Sequence, residues 1–150
     1  MALEIKKQPV ILYAEDDDDD YLLVTDAFRQ ADFKPDMRRV KDGEELIDYL
    51  TRQGQYQRVE SSPRPAVILL DLNMPKKDGR EALKEIKSHP DFKRIPVVII
   101  TTSRAEEDVF RTYDFGANSF IRKPIHFDKF VEIARTFEKY WLDTVILPVN

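Results

Sequence analysis

Five short apolar runs, Val10 to Ala14, Met37 to Val40, Ala66 to Leu70, Val97 to Ile100 and Ser119 to Ile121, recur along the chain with room for a helix between successive runs. Each has the length of a strand. The third and fourth are continuously apolar and rich in Val and Ile, which suits central strands of a parallel sheet covered on both faces. The second and fifth are more mixed and fit positions nearer an edge. Between the runs, apolar residues return with helical period, as in Tyr21, Val24, Phe28 and Ala31, or Ala82, Leu83 and Ile86, the pattern of amphipathic crossovers. Gly43 and Gly79 stand before the second and third predicted helices, and Gly116 follows the fourth, where a left-handed cap would stop it. Strand and helix alternate throughout, which predicts an α/β fold: a doubly wound five-stranded parallel sheet flanked by helices, with right-handed crossovers. In such sheets sites form at the carboxyl ends of the strands, near the point where strand order reverses.

At 150 residues the chain suits one compact domain that buries about 70% of its unfolded surface. Its net charge of -4 argues against a general nucleic-acid or membrane binder and leaves proteins or small ions as expected partners. Cysteine is absent, which excludes disulfides and thiolate zinc sites and makes the reducing cytoplasm the natural compartment. Met1 to Lys7 lacks the look of a secretion signal, and no apolar run approaches the ~18 residues of a membrane span. Gln53 to Pro65, polar and holding two prolines, reads as an exposed loop without chemistry.

The strand ends carry the polar groups. The first run is followed by Glu15, Asp16 and Asp17, the third by Asp71, the fourth by Thr101 and Thr102, and the fifth leads to Lys123. Carboxylates gathered in one cleft repel each other, so one is protonated or a cation is bound. Oxygen donors with high negative charge favour magnesium or a similar hard cation. Lys123 offers an ammonium and Thr101 a hydroxyl donor. Together they outline an anion-receiving site around a carboxylate, which can attack phosphorus when a cation and a lysine stabilise the transferring oxygens. Asp71 alone ends a central, wholly apolar strand and is the expected nucleophile.

Four motifs in order, ILYAEDD at 11–17, VILLDLNMPKKDG at 67–79, VVIITTS at 97–103 and FIRKP at 120–124, resemble the receiver domain of two-component response regulators. The resemblance covers nearly the whole chain and implies a flavodoxin-like receiver fold over 1–150 with a C-terminal extension over about 143–150. It implies Asp71 as phosphoacceptor, Lys123 and Thr101 as its catalytic partners, and Thr101 and Phe120 as switch residues. The implied ligands of Mg2+, or Mn2+, are Asp16, Asp71, the backbone carbonyl of Asn73, and Glu15 acting through water, because Glu15 stands where Asp is frequent. The long polar segment before the third strand, KKDGREAL at 76–83 and the tail YWLDTVILP at 140–148 look like the small regulators paired with phytochrome-type histidine kinases. The resemblance thus implies a phosphorelay regulator, not a turnover enzyme, whose only chemistry is transfer to Asp71 and subsequent hydrolysis. The chain ends soon after the fifth predicted helix, so no DNA-binding output domain is expected and output passes through a partner or dimerisation.

Rival readings weigh differently. A haloacid dehalogenase-type phosphohydrolase wants a second acid two residues after its nucleophile, where this chain has Asn73. A phosphorylation-independent interaction module has no use for the full set of acids, Thr101 and Lys123. Asp18 to Asp20 read as a solvated acidic start to the first helix, and Lys123–Pro124 as a candidate cis bond. Phe130, Ile133, Ala134, Phe137 and Trp141 lie at helical spacing and read as core. Tyr140, Val145, Ile146 and Leu147 extend past the helix needed to complete the fold, and predict a homodimer through the fourth helix, fifth strand, fifth helix and tail.

Overall fold

The computed structural model describes residues 8–148. The elements run β1 (Val10–Ala14), α1 (Asp18–Gln30), β2 (Asp36–Val40), α2 (Gly43–Thr51), β3 (Val67–Leu70), α3 (Gly79–Ser88), β4 (Val97–Thr101), α4 (Glu106–Asp114), β5 (Ser119–Arg122) and α5 (Phe127–Phe137). The five strands are parallel in the order β2-β1-β3-β4-β5. Strand order reverses between β1 and β3, and the crevice there lies beyond their carboxyl ends.

Strand ends differ from the apolar runs by one residue in four places. Backbone pairing, not apolarity, sets them: polar Asp36 pairs with Val10, and Arg122 with Thr101. β3 and β4 are buried along their whole length, whereas β2 and β5 are only half covered, as edge strands should be. Alternation along each strand divides the core in two. Leu12, Ile68, Leu70 and Ile99 face Leu46, Leu83 and Ile86 of α2 and α3. Ile11, Tyr13, Leu69 and Ile100 face Val24 and Phe28 of α1 and Phe130, Ala134 and Phe137 of α5.

All five helices start at the site end of the sheet, and three of them are capped by an aspartate. Asp17 accepts from the Asp20 N–H at 2.9 Å, Asp42 from Glu45 at 2.7 Å and Asp78 from Arg80 at 2.8 Å. Gly43 and Gly79 are the first helical residues rather than preceding ones. They permit close chain crossings: a Cβ on Gly43 would meet the Lys77 carbonyl oxygen at 2.1 Å, and one on Gly79 the Asp71 carbonyl oxygen at 2.3 Å. Gly116, with φ 103°, ends α4 as expected.

The segment read as an exposed loop is instead partly packed. It forms two short 3-10 turns, Gly54–Tyr56 and Val59–Ser61. Tyr56 lies 5.1 Å from Tyr49 between ring centres, the Tyr49 hydroxyl donates to the Pro63 carbonyl at 2.7 Å, and Ser62 is buried with its hydroxyl donating to the carbonyls of Tyr56 and Arg58. Ser62 can be buried within this otherwise largely exposed segment because its hydroxyl satisfies the segment's own backbone. After α5 the chain continues in a wide helical turn, Glu138–Thr144. Trp141, Leu142 and Leu147 pack back on the α1–α5 side of the core, while Ile146 faces solvent. No described helix is long and apolar enough to cross a membrane.

Candidate functional site

Each polar group at the sheet's carboxyl edge is delivered by strand pairing. Glu15 extends β1, its N–H donating to the Val40 carbonyl at 2.9 Å; Asp71 extends β3, donating to Ala14 at 3.1 Å; Lys123 extends β5, donating to Thr101 at 2.8 Å. The ladder therefore places residues far apart in sequence at one level. Carboxylate oxygens of Glu15, Asp16 and Asp71 all lie within 4.8 Å of one another, with Asp16 exposed and the other two buried.

Lys123 closes this cluster. Its side chain is 4% exposed and its ammonium donates to Glu15, to Asp20 Oδ2 at 2.8 Å and to Asp71 Oδ2 at 3.2 Å. Burial alone would lower its pKa, yet the hydrogen bonds to Asp20 and Glu15 carry it above the ordinary lysine value, so it stays an ammonium. Burial pushes Glu15 up to about 7, neighbouring Asp71 adds to that, and Lys123 pulls the other way. All peptide bonds among the described residues are trans, Lys123–Pro124 included. That corrects the expected cis bond; the β5 pairing already aims the lysine inward.

Thr101 is wholly buried at the end of β4, where its hydroxyl oxygen accepts from the Ser103 N–H at 3.3 Å. Asn73 is exposed, its N–H 3.5 Å from Asp71 Oδ1. Phe120, paired with Ile99, is half-buried against the α2–α3 side of the core. Thr102 is exposed.

The acidic run is not simply a solvated helix start. Asp20 binds Lys123, and Asp18 binds Arg39 at 2.7 Å, the contact that lowers the Asp18 pKa. Asp18 and Asp19 remain the exposed first-turn acids expected, Asp18 pairing with Arg39 in solvent, and only Asp20 departs from that description. Helix phase explains this, since Asp20 lies four residues before Val24 and so shares its inward face. Other contributors went unread in the sequence. The Tyr13 hydroxyl donates to Glu15 at 3.1 Å; burial first, and then the Glu15 charge, raises its pKa. Arg39 donates to the Glu15 carbonyl at 3.0 Å and covers the Tyr21 ring at 4.5 Å. Arg80 makes two 2.7 Å bonds to Asp108, which also accepts from the Ser103 hydroxyl at 2.5 Å, tying α3 to the β4–α4 loop.

The donor set fits a hard divalent cation: three carboxylates, no nitrogen or sulfur. Glu15 is the most engaged of the three, by Tyr13, Lys123 and the Asp17 N–H at 3.4 Å, and Asp71 is engaged by Lys123 and the Asn73 N–H.

The response regulator receiver domain family matches residues 11–135. Response regulator Rcp1 of Synechocystis sp. is 42% identical over 148 residues, 99% of each chain. The crystal structure of the phosphorylated cyanobacterial phytochrome response regulator RcpA superposes with a TM-score of 0.87 at 41% identity, covering 95% of this chain and 99% of that one. The Mn2+-bound form of Rcp1 gives 0.84 at 42%, covering 94% and 99%. Response regulator RPA3017, from red light signaling in R. palustris, gives 0.89 at 33%, covering 95% and 99%. Sheet order, strand-end acids and nearly full-length identity agree, and the chain belongs to the response regulator receiver domain family.

Proposed function

We propose that this response regulator accepts a phosphoryl group on Asp71 from the phosphohistidine of a histidine kinase. The observation that carries the reading is the convergence of a buried lysine, Lys123, on the carboxylates of Asp71 and Glu15. An Asp71 carboxylate oxygen attacks phosphorus; the new P–O bond forms as the P–N bond breaks, and the imidazole nitrogen of the donor keeps the electron pair. Asp16, Asp71 and the Asn73 carbonyl would hold Mg2+, or Mn2+, with Glu15 acting through water. The cation supplies charge neutralisation for the transferring oxygens. Lys123 donates to one phosphoryl oxygen. Thr101, whose hydroxyl oxygen is held by Ser103, keeps its proton free to donate to another. Phe120 responds to the movement of Thr101 and carries the change to the α4–β5 surface. Water later attacks phosphorus and releases the Asp71 carboxylate, so the chain catalyses only its own phosphorylation and hydrolysis.

The kinase is of phytochrome type, in line with the description of RcpA as a cyanobacterial phytochrome response regulator, and the compartment is the cytoplasm. The whole chain, 1–150, acts as one receiver with the tail from about 143 as an extension. Phe110 and Tyr113, 70% and 47% exposed and three residues apart on α4, share one face. With exposed Ile125 and Tyr140 they support the homodimer through α4, β5, α5 and the tail, the described part of which ends at Pro148. Neither nucleic acid nor membrane is a partner. Labelling with acetyl phosphate and magnesium, stoichiometric in the native protein and abolished in Asp71→Asn, tests the central assignment; undiminished labelling of that variant refutes it.

A further inference from the structure

An ammonium has three N–H donors, and Lys123 faces three carboxylates: Glu15, Asp20 and Asp71. Every donor is spoken for. On the reading that Asp71 is phosphorylated, a phosphoryl oxygen arriving there needs one of them. Glu15 is held in place, having no exposed surface and a second hydrogen bond from Tyr13, so water cannot replace what it would lose. Asp71 carries the incoming group. Asp20 differs: its side chain is 36% exposed and sits in the first turn of α1, where rotation about its side-chain bonds delivers the carboxylate to solvent.

We propose that Asp20 is a positioning residue that occupies one Lys123 donor in the resting state and yields it to the phosphoryl oxygen, thereby setting how strongly the phosphorylated state is held. Asp20 competes with the phosphoryl group for the same ammonium, so its removal strengthens phosphoryl binding. A residue that served stability alone would weaken the fold and leave that affinity unchanged or lower.

Beryllofluoride, a phosphoryl mimic that binds carboxylates noncovalently, is titrated by calorimetry into the full chain at saturating magnesium, so that changes in cation affinity do not enter. Asp20→Ala should bind about three- to tenfold tighter than the native protein, the worth of one competing hydrogen bond. Asp20→Asn, which keeps the shape and loses the charge, should fall between them and covers the case in which the alanine variant does not fold. Asp20→Glu should return affinity toward native. Asp19→Asn makes the same charge change one residue away without touching Lys123 and should behave as native. Equal or weaker binding by Asp20→Ala and Asp20→Asn, or equal tightening by Asp19→Asn, overturns the proposal. Undiminished binding by Asp71→Asn would instead overturn the phosphoacceptor reading beneath it.

Discussion

Lys123 and Glu15 are 108 residues apart in the chain and share a hydrogen bond inside the protein, the lysine 4% exposed and the glutamate not at all. Removing the cation would leave Glu15 and Asp71 facing each other without compensation. Lys123→Met keeps the aliphatic stem and deletes the charge, and should cost about 3 kcal/mol, the penalty for breaking a buried pair. Added magnesium should recover part of that loss by binding the folded acids. Urea unfolding with and without magnesium reads both quantities, and a variant as stable as native in metal-free buffer would contradict the account.

Gly79 is where α3 crosses the chain leaving β3. A methyl group there would meet the Asp71 carbonyl oxygen at 2.3 Å and the Leu72 Cα at 2.8 Å, and backbone cannot yield as a side-chain tip can. Gly79→Ala should lose about 2 to 3 kcal/mol, the upper range for overpacking. Because Asp71 itself must shift, acetyl phosphate labelling should fall as well. Labelling at the native rate in a destabilised variant would show that the strain is absorbed elsewhere.

Asp108 gives a pH-dependent prediction. Arg80 holds its carboxyl down to about 2, against an ordinary 3.8, with Ser103 adding a second hydrogen bond. A depressed folded-state pKa adds stability that is complete above about 3.8 and disappears as pH falls through about 2. Allowing for screening at this partly solvated pair, the contribution is about 1 to 2 kcal/mol. Asp108→Asn should be less stable than native by about that much at neutral pH, with the gap closing between roughly pH 4 and 2. Stability curves of the two proteins that stay parallel across this window would rule the contact out as a source of acid sensitivity.

The α4 surface makes a separable prediction. Phe110 is 70% exposed and supports no core cluster among the described residues. Phe110→Asp should therefore leave folding and Asp71 labelling unchanged while converting the proposed dimer to a monomer in sedimentation at micromolar concentration. A native protein that sediments as a monomer, with or without phosphoryl label, would remove the dimer.

Legibility in the sequence followed the range of the interaction. The third and fourth strands were readable because a strand covered on both faces must be apolar throughout, and β3 and β4 are buried at every residue. Gly116 was readable because its demand is local, a positive φ at the end of α4. Glu15, Asp16, Asp71, Thr101 and Lys123 could be named because strand ends in a parallel sheet fall at one level. The acidic run shows the boundary. Asp17 to Asp20 are the same residue four times, so composition could not distinguish a cap, an ion pair with Arg39, a solvent-facing side chain and a ligand of Lys123. Spacing from Val24 held a clue to Asp20, but its partner is on β5's outgoing loop, beyond the reach of any local pattern.

The alternation of apolar period by itself determined an α/β sheet with its acids, threonine and lysine at the strand ends, because burial fixes periodicity residue by residue. Tertiary structure alone decided that Asp20 joins Lys123, that Tyr13 and Arg39 brace Glu15, that Arg80 and Asp108 bind α3 to α4, and that Tyr56 and Pro63 pack on Tyr49. Those pairings depend on helix phase and strand register across tens of residues, and a side chain's partner is set by where its backbone is carried.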